Sequence, residues 1–129
     1  MNHITTKTFK AQVNFGLQKG YSDELIDIDT FKQGLLNAQI EIKNKFEVVL
    51  SAKLKQCEIL CLGQEEPSIE LEFIQYPKFQ KDEEILKKAI MSLTEILMQK
   101  LEQNRVVIVF SDETIMVENN TEIDPTIKL

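Results

Sequence analysis

The sequence predicts an α/β fold of the α+β kind, a two-layer sandwich of duplicated β-α-β units with two helices on one face of a four-stranded mixed sheet. Three observations predict it. Residues 8–18 alternate apolar and polar side chains as a half-buried strand does. Residues 85–101 carry a broad apolar stripe at helical spacing. The order strand, helix, strand, strand, helix, strand repeats one unit twice, and right-handed crossovers place both helices on the same side.

In the first strand Phe9, Ala11, Val13, Phe15 and Leu17 share one face, and Lys10, Gln12 and Asn14 the other. After a break at 19–24, Asp29 precedes Phe31, Leu35, Ala38 and Ile42, which predicts a helix with Asp29 as its N-cap. Gly34 weakens that helix by about 1 kcal/mol relative to alanine, and Ala38, Ile40 and Ile42 also fit a strand that ends in a turn at 43–45. Phe46, Val48, Leu50, Ala52 and Leu54 then alternate on even positions, and Cys57, Ile59 and Cys61 on odd ones. That change of phase predicts a long, bent second strand with a β-bulge near Lys55 and Gln56. A turn at 63–67 leads into a third strand with Ile69, Leu71 and Phe73 on one face, closed by Pro77. Asp82 caps the second helix, and Glu83 and Glu84 favour its positive end. Residues 106–110 are apolar on both faces and form the last strand, followed by a turn at 111–114 and a short extension through Ile115, Met116 and Val117.

A length of 129 residues supports a single domain over 1–118, with 119–129 as a loose C-terminal tail. In this reading the uncharged last strand lies at a sheet edge, where it would pair with other chains. The sheet face away from the helices carries Lys10, Gln12, Asn14, Lys53, Glu70 and Glu72 together with two residues of the fully apolar last strand. A neighbouring subunit that covers edge and face predicts a homo-oligomer. Folding the extension after Thr114 back onto the edge would shield it instead.

Charge and composition exclude several functions. The net charge of −6 opposes nucleic-acid binding, and no basic patch offsets it. The longest apolar run is five residues, at 106–110, against roughly 18 for a membrane span, and the first residues lack a signal peptide's basic and apolar regions, so a cytoplasmic location is expected. Gly16 and Gly20 are not followed by the lysine and hydroxyl of a phosphate loop. Ser22-Asp23 and Ser111-Asp112 have no histidine nearby to activate a serine.

Cys57 and Cys61 stand roughly 13 Å apart along a strand, too far for a disulfide, and are read as core thiols. Glu65, Glu66, Glu70 and Glu72 could present oxygens to a hard cation, but Glu65 and Glu66 read as solvated turn residues, and Glu70 and Glu72 as cross-strand partners of Lys10 or Lys53. No metal and no cofactor are expected. Lys10 with Glu70 or Glu72 is the best candidate for a buried polar site if an oligomer encloses the face. Tyr76, at a strand end, and Arg105, at a strand start, complete the candidate binding residues.

Residues 57–67, with a strand running into a glycine-containing turn and the Glu66-Pro67 pair, and Asn104-Arg105-Val106-Val107-Ile108-Val109 as a last core strand resemble the tautomerase superfamily. The resemblance is to its members similar to macrophage migration inhibitory factor. It implies a trimer of the duplicated unit and proton transfer by an N-terminal proline on a keto-enol compound. This chain begins Met1-Asn2, and its first strand starts near Thr8. The family's pocket tyrosine and asparagine fall on Val107 and Val109, and its pocket lysine on Lys43 or Lys45. These departures predict a homo-oligomeric, preferably trimeric, binding or assembly protein with no catalytic residue and with a small molecule as its possible ligand. The alternatives are a tautomerase or isomerase in which Lys10 replaces the proline, and a monomeric protein-binding adaptor.

Overall fold

In the computed structural model, which describes residues 1–121 and 123, the chain runs β1 (Ala11–Gly16), α1 (Ile28–Phe46), β2 (Ser51–Cys61), β3 (Gln64–Ile74), a 3-10 turn (Pro77–Phe79), α2 (Glu83–Lys100), β4 (Arg105–Phe110) and β5 (Thr114–Glu118). The sheet has five strands in the order β2-β3-β1-β4-β5, and every neighbouring pair is antiparallel. It is therefore neither four-stranded nor mixed, as the sequence predicted. Both β-α-β units are present, but each crossover skips a position. β3 lies between the parallel strands β1 and β2, and β1 lies between β3 and β4, so the two units interleave as in ferredoxin-like folds.

The extension after the last predicted strand forms β5, which pairs with β4 from Arg105↔Glu118 to Val109↔Thr114. β4 is thus flanked on both sides, and the exposed edge expected for it does not exist. The connecting turn is tied down. The Ser111 hydroxyl accepts from the Lys10 amide at 2.7 Å, and Lys87 donates to Asp112 at 2.9 Å and Glu113 at 3.4 Å. The hydrogen bond from Lys87 holds the Asp112 carboxyl below its ordinary range, and the same bond raises Lys87.

The core lies between the helices and one sheet face. Ala11, Val13 and Phe15 of β1, Ile69, Leu71 and Phe73 of β3, and Val106, Ile108 and Phe110 of β4 meet Phe31, Ala38 and Ile42 of α1 and Ile90, Leu93 and Leu97 of α2. Phe15 and Phe31 pack edge to face with centroids 5.5 Å apart. Gly34, a cost to α1 in isolation, faces α2, and a methyl group there would stand 3.5 Å from Leu97.

α1 is one uninterrupted helix, and Ile40, part of the competing strand pattern, points to solvent. Its N-cap is Asp27, not Asp29: the Asp27 backbone is extended and its carboxylate accepts from the Thr30 amide at 2.7 Å, while Asp29 sits in the first turn. That backbone hydrogen bond lowers the Asp27 pKa. With the folded pKa below the unfolded value, the stabilisation is complete above the usual carboxylate range and is lost as pH falls through the depressed folded value. Asp27→Ala is accordingly expected to lower the melting temperature at pH 7, and its gap from the parent should close as thermal melts are taken to pH values below 3.8. A gap unchanged at acid pH would count against the cap.

No bulge interrupts β2. It pairs with β3 in one register from Ser51↔Ile74 to Cys61↔Gln64. The change of phase has another cause: residues 46–50 belong to the helix end and a loop, and beyond Gln56 the hairpin runs past the helix layer, so neither face is buried. The turn is Leu62-Gly63, both with positive φ (48° and 87°), which gives a tight two-residue hairpin and leaves 64–67 within β3. β1 is shorter than the predicted 8–18. At the far end, the Asn119 amide donates to Asn104 O (2.7 Å) and the Asn120 amide to Asn104 Oδ1 (3.0 Å). The predicted loose tail is therefore anchored at its start, and 122 and 124–129 lie outside the described residues. No helix among the described residues is long and apolar enough to cross a membrane.

Candidate functional site

Strand parity sorts side chains between the two sheet faces, and the face opposite the helices carries most of the chemistry. β3 presents Glu66, Ser68, Glu70 and Glu72 there. β2 aligns Lys53 with Glu72 and Lys55 with Glu70, and β1 aligns Gln12 with Glu72 and Asn14 with Glu70. Across β1 the face turns apolar: Val107 and Val109 of β4 stand beside Asn14 and Gln12, and Met116 of β5 lies next to Val107. The surface is thus graded, charged over β2 and β3, amide-lined over β1 and apolar over the middle of β4 and β5, where Val107, Val109 and Met116 lie between Thr114 and the Arg105–Glu118 pair.

The carboxylates differ in their partners. Glu72 is held by Lys53 at 3.2 Å. Glu70 is half-buried and forms no ion pair with another described residue. Glu66 folds inward over Gly16, where a Cβ would overlap its Oε1 and would also meet Gln103 Oε1 at 3.4 Å. The glycine therefore makes room for the carboxylate. Beneath this arrangement Ser68 is fully buried, its hydroxyl donating to Glu66 O at 3.1 Å.

The structure distributes the residues predicted from sequence unevenly. Glu70 and Glu72 lie on the face as expected. Lys10 does not join them: it precedes β1 and is exposed, so the burial required of a replacement base is missing, and Glu72 takes Lys53 instead. Arg105 is at the start of β4 but is bound to Glu118 across the hairpin, at 2.7 Å and 2.8 Å. Tyr76 follows β3, half exposed, on the rim of a separate cleft. Cys57 and Cys61 are free thiols on the edge strand, half-buried and exposed, and are not core residues. Among the described residues no three His, Cys, Asp or Glu side chains converge as a metal site would require. The contact of Gly16 with Glu66 is absent from the sequence reading, which sets Glu66 in a turn and weighs each residue separately. The even number of Glu66, shared with Glu70 and Glu72, was the available signal.

An antiparallel sheet backed by two helices, with a graded polar and apolar open face, makes this a small two-layer α+β protein. No protein-family model and no curated protein matches the chain. Among solved structures it is similar to phage SAM lyase. The match to the apo state has a TM-score of 0.69 at 14% identity and covers 95% of this chain and 98% of that one. The match to the complex with S-methyl-5'-thioadenosine has a TM-score of 0.66 at 15% identity and covers 92% and 95%.

Proposed function

We propose that this protein is a homo-oligomeric enzyme, preferably a trimer, that binds a sulfonium or thioether adenine nucleoside on the open sheet face and cleaves a carbon–sulfur bond. The observation that carries this reading is Glu70, a half-buried carboxylate without an ion-pair partner among the described residues, beside a surface that turns apolar within two strands. A sulfonium combines a fixed positive charge with apolar substituents, and that pairing matches the gradient. The net charge of −6 favours such a cation over a phosphorylated nucleotide. The full-length likeness to phage SAM lyase supports the same class.

The chemistry fits an apolar wall. When the bond breaks, its electron pair moves to sulfur, which becomes a neutral thioether; the remaining fragment balances charge by losing a proton or by closing on its own carboxylate. Positive charge on sulfur therefore fades toward the transition state. Glu66 and Glu70 recruit and orient the cation, whereas Val107, Val109 and Met116 favour the departing thioether. A neighbouring subunit over the apolar half would exclude water.

The test is incubation of the full chain with S-adenosylmethionine and detection of S-methyl-5'-thioadenosine by liquid chromatography and mass spectrometry. Turnover is expected, with Glu70→Gln raising KM about tenfold or more, in line with loss of a charge-assisted contact. A second reading, a non-catalytic assembly protein, is favoured by the same apolar stripe. Absence of turnover with S-adenosylmethionine and with simple keto-enol compounds, together with a trimeric mass by light scattering, would replace the first reading with the second.

A further inference from the structure

At the opposite end of β3 from Glu66, the strand ends, the loop after α1 and the start of α2 enclose a cleft of about 500 Å³. That is the size of a small-molecule site. Its floor is apolar and buried, with Val48, Leu50, Phe73 and Ile90. Its rim is apolar and exposed: Val49 (73%), Tyr76 (50%) and Phe79 (71%) leave large surfaces in water. Gln75 lines the same cleft, and its Oε1 is buried with no hydrogen-bond donor among the described residues. Glu47 and Lys81, of opposite charge, both belong to the wall, so the cleft selects neither an anion nor a cation.

We infer that this cleft binds a small uncharged aromatic heterocycle bearing an N–H donor. The ring packs against Tyr76 and Phe79 over the apolar floor. The N–H bonds to Gln75 Oε1 after a change of side-chain rotamer that carries the whole amide to the cleft, so that Nε2 reaches water as Oε1 meets the donor. An acyl chain would fill the floor but would leave that oxygen without a donor. The inference is independent of the sulfonium reading, because its test does not use turnover.

The experiment compares indole with 1-methylindole, a matched pair that differs in the donor. The chain contains no tryptophan, so indole emission reports binding directly, and backbone amide NMR shifts locate it. Saturable indole binding is expected, with shifts at 47–51 and 73–81 and at least tenfold weaker binding of 1-methylindole. Phe79→Ala, at an exposed position that folding tolerates, should weaken indole several-fold, and Gln75→Met should erase the preference between the two probes. The inference is overturned by equal affinity for the pair, by shifts elsewhere, by no saturation up to the solubility limit, or by a Phe79→Ala variant that changes oligomer mass and leaves indole affinity intact. If Gln75→Met does not fold, the matched pair and Phe79→Ala decide.

Discussion

Gly16→Ala is expected to lower turnover of S-adenosylmethionine roughly a hundredfold, the scale of a displaced reacting group, while leaving the fold as stable as before. The added methyl group would occupy the space of the Glu66 carboxylate. The obstacle is the far end of a flexible side chain, so Glu66 swings away and the backbone of β1 stays in place. Alanine in a strand also restricts the unfolded chain more than glycine does, which offsets small packing losses of about 1 kcal/mol or less. The double variant Gly16→Ala/Glu66→Gln should be no worse than the poorer single variant, since both remove one carboxylate from one position. Kinetics and urea denaturation on the same preparations check this; full activity in Gly16→Ala would show that the placement of Glu66 is irrelevant to chemistry.

Phe31→Ala is expected to cost about 3–5 kcal/mol, the range for deleting a buried aromatic ring. Phe31 is fully buried, packs edge-on against Phe15 and joins α1 to the central strand. Total stability for a domain of this kind is about 5–15 kcal/mol, so the change removes roughly a fifth of it or more. Leu36→Ala on the same helix, at a side chain 48% exposed, should move the urea midpoint little. Equal effects from the two variants would mean that α1 is not anchored through Phe31.

Much of this structure was legible in the sequence. The stripe on α2 is legible because a long helix that buries one face leaves a clear period, and β4 is legible as a short apolar run, although only its Val106, Ile108 and Phe110 side is buried. The open face was also readable: parity alone assigns Gln12, Asn14, Lys53, Glu70 and Glu72 to it. Parity does not give register, however, so it leaves Lys10 and Lys53 as rival partners for Glu70 and Glu72, and only the pairing of β2 with β3 sets Lys53 against Glu72. Strand order was illegible for the same reason, since nothing local to β1 records that β3 and β4 will flank it. β2 misled through its overhang, because alternation carries meaning only where one side is buried. The partnership of Gly16 with Glu66 joins two strands distant in sequence, and no local pattern encodes it.

The placement of β1 has a consequence for how the chain is made. The earliest strand is the middle of the finished sheet, and one of its two neighbours, β4, is paired to it as Ala11↔Phe110. During synthesis its amides on that side wait until residues 105–110 have left the ribosome. Such distant pairing slows folding and lengthens exposure of sticky backbone. Nascent chains stalled before residue 105 should therefore be cut readily by protease within 11–16, and chains released at full length should resist; protection in the stalled chains would mean that β3 alone secures the strand.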